Sequence, residues 1–159
     1  MASAHAHTTS CVRPARPQEA DLLSRLALRS KSHWGYPAEF LEACRDELKL
    51  SSDFITHSPV FVLEEAQSVV GFYGLRAAKD AIELVYLFVA PEAINHGYGK
   101  LLWEHAVCVA AGLGYPKILI ESDPHAEAFY LARGARRIGA TASSVQAGRM
   151  LPILEFSLL

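Results

Sequence analysis

Cysteine is scarce in this 159-residue chain. There are three, Cys11, Cys44 and Cys108, odd in number and widely spaced. That argues against a disulfide framework and against a zinc site, and it suits a reducing, cytoplasmic compartment. Long apolar runs are missing as well. None approaches the roughly 18 to 20 residues of a membrane span, so no membrane partner is expected. Charge of one sign is also lacking, because 15 Lys and Arg stand against 17 Asp and Glu, a net charge of −2. No electrostatic case exists for nucleic acid or an anionic membrane as partner. Repeats and low-complexity blocks are absent. Met1 to Ser10 has neither a basic start nor an apolar stretch, so it reads as a flexible tail rather than a secretory signal. His5 and His7 in that tail are expected to be solvated, and no metal site is expected anywhere. Cys108, within the apolar stretch from Ala106 to Ala111, is expected in the core.

What is present is an ordinary globular balance, 51% hydrophobic and 20% charged residues. Residues 11–159 are enough for one domain with one core. Val12 to Arg16 reads as a first strand. Gln18 to Lys31 has helical periodicity, with apolar Leu22, Leu23, Leu26 and Ala27. A break rich in basic and aromatic residues follows, then a second helix from Ala38 to Leu50. Val60 to Glu65, Val69 to Ala77 and Ala81 to Val89 read as a three-stranded meander. Gly99 to Gly112 is helical, Lys117 to Glu121 a buried strand, and Ala126 to Arg133 a short helix ended by Gly134. Ala135 to Ala142 and Met150 to Leu158 close the chain as strands. The order is β-αα-βββ-α-β-α-ββ. It implies an α/β fold with a mixed central sheet and helices on both faces.

The segment from Val89 to Leu102 carries the strongest chemical signal. A strand enters it, a Pro and a polar loop follow, and Gly97-Tyr98-Gly99 opens an amphipathic helix. The first N–H groups of a helix lack intrahelical acceptors, and the helix dipole adds positive potential there. Such a site takes a phosphate or pyrophosphate. A dinucleotide loop would need a third glycine where Leu102 stands, and a P-loop would need a hydroxyl residue where Leu101 stands. Both readings fail.

What remains, Ile94-Asn95-His96-Gly97-Tyr98-Gly99, resembles motif A of the GNAT acetyltransferase superfamily, Q/R-x-x-G-x-G/A, with Ile94 in the first position. A second stretch, Asp123-Pro124-His125-Ala126 through Phe129-Tyr130 to Gly134-Ala135, is similar to the family's N-x-x-A-x-x-F/L-Y-x-x-x-G-F signature. Asp123 takes the Asn position and Ala135 the Phe position. The element order also matches that family. The resemblance implies acetyl-CoA or another acyl-CoA as co-substrate. Asn95, His96, Gly97, Tyr98, Gly99 and Lys100 would hold its pyrophosphate. Leu87, Phe88 and Val89, on a strand splayed from Lys117 to Glu121, would pair with its pantetheine amides. Members of that family often dimerise, so the resemblance also allows a homodimer.

The reaction so implied moves an acetyl group to a primary amine by direct attack in a ternary complex. A protonated amine cannot attack a thioester, so a base is needed. Glu83 stands where the histone-acetyltransferase branch of the family has its catalytic glutamate, and Glu121 is the rival. Tyr130 matches the family's general acid. The acceptor pocket falls on the loop Arg29 to Pro37, with Arg29, His33, Trp34 and Tyr36, and on Arg149. These groups suggest a small acceptor carrying a carboxylate or phosphate. A fold of this kind that senses acyl-CoA without turnover is the other reading, because Ile94 and Asp123 depart from the motifs.

Overall fold

The structure, a computed structural model, describes residues 10–159. Apart from Ser10, the tail expected at Met1 to Ser10 lies outside the described residues. Ser10 itself opens strand β1 (Ser10–Pro14). Strands β2 (Val60–Glu65), β3 (Ser68–Ala77), β4 (Ile82–Val89), β5 (Lys117–Glu121), β6 (Arg136–Ala142) and β7 (Met150–Ser157) complete a seven-stranded sheet. Its spatial order is β1-β2-β3-β4-β5-β7-β6. All neighbours are antiparallel except β4 and β5, which are parallel. The crossover between those two is helix α4 (Tyr98–Gly112). Helices α1 (Ala20–Ser32), α2 (Ala38–Cys44) and α3 (Ser52–His57) precede the meander, and α5 (Glu127–Ala132) follows β5.

Strand alternation divides the interior into two layers. On one face Leu63, Tyr73, Leu75, Ile82 and Ile118 pack under Leu102, Trp103, Ala106 and Ala110 of α4. On the other, Val62, Phe72 and Tyr86 meet Leu23, Leu26 and Ala27 of α1, Phe40 and Cys44 of α2 and Ile55 of α3. Adjacent residues such as Phe72 and Tyr73 thus serve opposite layers, and both are fully buried.

Three readings of the sequence need correction. The second helix does not run to Leu50 but ends at Cys44. The Leu50 N–H instead goes to the Ser24 hydroxyl at 2.8 Å, which ties the segment to α1. The short α3 was missed, although Ser51 is its N-cap and accepts the Phe54 N–H at 3.0 Å. Cys108 is also exposed rather than in the core. It lies about 200° round the helix from buried Ala106, on the solvent side of α4.

One feature of the sheet positions everything that follows. The parallel strands β4 and β5 pair only at Ile82–Ile118 and Glu83–Leu119. Beyond that, β4 continues to Val89 with no partner on its β5 side. A bulge bends it there, since Gly74 faces Tyr86 while Leu75 faces Leu84, leaving Val85 unmatched. Gly74 keeps the bend closely packed. A Cβ there would sit 3.0 Å from the Tyr86 ring and 3.2 Å from that of Phe54.

Candidate active site

The splay between β4 and β5 opens into a cleft of about 870 Å³. That is within the size range of sites for cofactor-sized ligands. β4 contributes one wall with Leu84 to Val89, and β5 the other with Leu119 to Glu121. Side chains from both layers reach the cleft, so it passes through the sheet rather than lying on one face.

At one end lies the start of α4. Asn95 and Gly97 both have positive φ, 70° and 79°. Gly97 is the N-cap and offers no side chain to the helix. The Leu101 N–H reaches the Gly97 carbonyl at 3.2 Å. The N–H groups of Tyr98, Gly99 and Lys100 therefore have no intrahelical acceptor. A Cβ on Gly97 would meet nothing within 4 Å, so the position needs glycine for its backbone angle rather than for space. Asn95, Gly97, Tyr98, Gly99 and Lys100 all line the cleft. The Tyr98 side chain turns away and donates its hydroxyl to Glu65, leaving its main chain for the loop. Lys100 is exposed and stands 3.8 Å from Glu104, one turn on. His96 is exposed and does not line the cleft.

Tyr130, on α5, lines the same cleft. Its ring meets Trp103 edge-on at 5.6 Å and Phe129 at 5.2 Å. Its hydroxyl has no hydrogen-bond partner among the described residues. Burial, and then the negative charge of Asp123, hold its phenol well above the usual tyrosine range. It is a protonated donor at any ordinary pH. Glu83 lines the cleft from β4, where its Oε2 accepts from Arg76 Nη2 at 2.6 Å. The two residues face each other across the β3–β4 ladder. Glu121, at the end of β5, also lines the cleft and has no ion-pair partner among the described residues.

A cluster around Asp123 also borders the cleft. Both its carboxylate oxygens accept from the Tyr36 hydroxyl at 3.0 Å. Arg149 donates to one of them at 3.2 Å and to the Tyr36 oxygen at 2.6 Å. Lys31 stands 3.5 Å from the same carboxylate, and the His125 N–H donates to it at 2.9 Å. Burial alone would raise this carboxyl. The His125 N–H, Lys31, the Tyr36 hydroxyl and Arg149 outweigh it and hold the group below the usual aspartate range. Beside the cluster, Trp34 stacks on His125 with the rings 5.0 Å apart and 4° from parallel.

The sequence profile of the acetyltransferase (GNAT) family matches residues 25–135. The chain belongs to the GNAT acetyltransferase family. No curated protein sequence matches it. Solved structures share the fold at low identity. An N-acetyltransferase (PaiA) from Thermoplasma acidophilum in complex with coenzyme A superposes with a TM-score of 0.74 at 17% identity, over 94% of this chain and 99% of that one. An N-acetyltransferase from Staphylococcus aureus gives 0.71 at 18%, over 96% and 100%. N-acetylglutamate synthase from Neisseria gonorrhoeae, complexed with coenzyme A and N-acetyl-glutamate, gives 0.68 at 21%, over 96% of this chain and 36% of that one.

In this acetyltransferase the expected acceptor residues separate. Trp34 and Arg149 line the cleft. Tyr36 stands behind it, holding Asp123 and Arg149. His33 touches Trp34 edge-on at 5.2 Å and does not line the cleft. Arg29 points elsewhere and pairs with Glu92 at 2.7 Å. The cations at this site do not stand alone, because Lys31 and Arg149 share Asp123 and Glu47 also lines the cleft. Sequence reading missed Lys31, Arg76, Glu47, His125 and Arg133 as lining residues. Arg76 had a signal. With Ala78 closing the hairpin on Ala81, Arg76 and Glu83 fall opposite one another.

Proposed function

We propose that this protein transfers an acetyl group from acetyl-CoA to the primary amine of a small molecule or peptide, by direct attack in a ternary complex. The observation that carries the reading is the continuity of one cleft. It joins the uncapped start of α4, the unpaired edge of β4 and the Tyr130 phenol, and then opens toward Trp34 and Glu121. Acyl-CoA suits these residues. The α4 N–H groups match a pyrophosphate. The free edge at Leu87, Phe88 and Val89 matches a chain of amides, as in strand addition.

When bound, the co-substrate supplies an activated thioester. The chain's own groups then do the rest. Glu83, positioned by Arg76, takes the amine proton directly or through a water, with its second carboxylate oxygen free of the ion pair. The amine lone pair forms the new C–N bond, the C–S bond breaks, the Tyr130 hydroxyl gives its proton to the departing sulfur, and the second proton lost from the nitrogen restores the tyrosine. Trp34 and Arg149 form the acceptor wall. The free thiols of Cys11, Cys44 and Cys108 suit a reducing, cytoplasmic setting.

The test is incubation with acetyl-CoA and a panel of small amines and peptide N-termini, following free thiol and acetylated product. Amine-dependent thiol release is the expected result. Tight binding of CoA with no thiol release across the panel would make the protein an acyl-CoA-binding module instead.

A further inference from the structure

Five cations line the cleft: Lys31, Arg76, Lys100, Arg133 and Arg149. Four have carboxylate partners, at 3.5 Å (Lys31–Asp123), 2.6 Å (Arg76–Glu83), 3.8 Å (Lys100–Glu104) and 3.2 Å (Arg149–Asp123). Arg133 has none among the described residues. Its Nε is shielded from solvent and has no hydrogen-bond acceptor, the one such side-chain atom among the described residues. Leaving a charged donor shielded and unmatched is costly, so proteins seldom do it without a use.

The position of the side chain indicates the use. Arg133 ends α5, with its N–H on the Tyr130 carbonyl at 3.0 Å. Its guanidinium lies 4.7 Å from the centre of the Phe129 ring. The same ring comes within 3.4 Å of where a Cβ on Gly99 would be. The Phe129 ring therefore contacts both the unpaired guanidinium and the α4 loop. Ile94, at the head of that loop, offers no side-chain donor. Arginine binds phosphate through paired N–H groups in a fixed plane.

We infer that Arg133 binds a phosphate of the acyl-CoA nucleotide and supplies the side-chain cation that the loop itself lacks. This rests on the acyl-CoA reading above. It adds a specific residue and ligand group to it.

Isothermal titration of CoA and of 3′-dephospho-CoA into wild type, Arg133→Met and Arg133→Lys tests it. Methionine keeps an apolar stem against Phe129 and removes the charge. CoA affinity should fall about ten- to a hundredfold in Arg133→Met, the range of a charge-assisted hydrogen bond. Lysine should recover part of the loss. A loss that vanishes with dephospho-CoA assigns Arg133 to the 3′-phosphate, and a loss with both ligands assigns it to the pyrophosphate. Affinity within twofold of wild type for both ligands, in a folded variant, overturns the inference and leaves Arg133 as a packing residue on Phe129. Should Arg133→Met fail to fold, Arg133→Gln, which also removes the charge, takes its place, and wild-type CoA affinity there overturns it equally. Failure of the wild type to bind CoA at all would instead overturn the acyl-CoA reading.

Discussion

Tyr130 has no other evident duty for its hydroxyl, which neither caps a helix nor bridges two elements. The ring packs between Trp103 and Phe129, so a phenylalanine would fill the same space. Tyr130→Phe should therefore keep the fold and CoA affinity while turnover falls about ten- to a thousandfold. Calorimetry and single-turnover kinetics separate the two quantities. Unchanged turnover where chemistry limits the rate would make Tyr130 a core residue. Glu83 presents a different case, since its ion pair with Arg76 could be its whole purpose. If it removes the amine proton, Glu83→Gln should slow the reaction most near neutral pH. The deficit should shrink at alkaline pH, where more acceptor is already neutral. A pH–rate profile of unchanged shape, with only KM raised, would mean that the carboxylate merely holds the substrate. Glu121→Gln is the matching control, and a pH-dependent deficit there would transfer the role.

The loop into α4 works through its backbone rather than its side chains. Gly97 has a φ of 79° in open surroundings, so Gly97→Ala introduces backbone strain and no clash. That strain is about 1–2 kcal/mol. Relieving that strain would move the loop's N–H groups away from their shared ligand position. CoA affinity should then drop about five- to thirtyfold, the equivalent of that strain. Circular dichroism should show α4 intact, because its buried face of Leu102, Trp103, Ala106 and Ala110 is untouched. Full CoA affinity in the folded variant would remove the pyrophosphate from this loop.

Across the whole molecule, the Asp123 cluster joins parts of the chain that are far apart in sequence. Lys31 and Tyr36 come from the end of α1 and the loop beyond it, and Arg149 from the loop before β7. The carboxylate is held below its ordinary pKa of 3.8 in the fold. A depressed carboxylate adds stability above its unfolded pKa and loses it as pH falls through the folded value. Asp123→Asn should thus destabilise the protein at neutral pH by about 1–3 kcal/mol, the cost of leaving its mostly buried partners unmatched. The gap to wild type should begin to narrow as pH falls below about 4, where the unfolded chain takes up the proton, and should go on narrowing until the folded carboxylate is protonated as well. Urea denaturation at pH 7 and across the acid range reads both. A gap that stays constant with pH would mean that the carboxylate's charge contributes nothing.

Local periodicity alone was enough to mark the strands of the meander, α1, α4 and β5, because each buries one face and its apolar residues repeat accordingly. The glycine loop was legible for the same local reason: a backbone needing φ above zero, followed at once by an amphipathic helix, is written in consecutive residues. The chain stop after Cys44 was not, since it depends on Ser24 capturing the Leu50 N–H from another helix. Cys108 was misjudged because apolar neighbours along the chain do not say which side of the helix meets the sheet. Arg149 was seen as a free cation, but only the folded chain brings Asp123 and Tyr36 to it. Arg133 stood in the sequence only as the end of a short helix, and its lack of an acceptor is set by what the fold packs around it. Sequence by itself determined the elements, their order and the anion loop, whose causes lie within a few turns of chain. Which charges are neutralised and which stay free was decided by the tertiary structure, because an ion pair depends on distances across the sheet that no local pattern encodes.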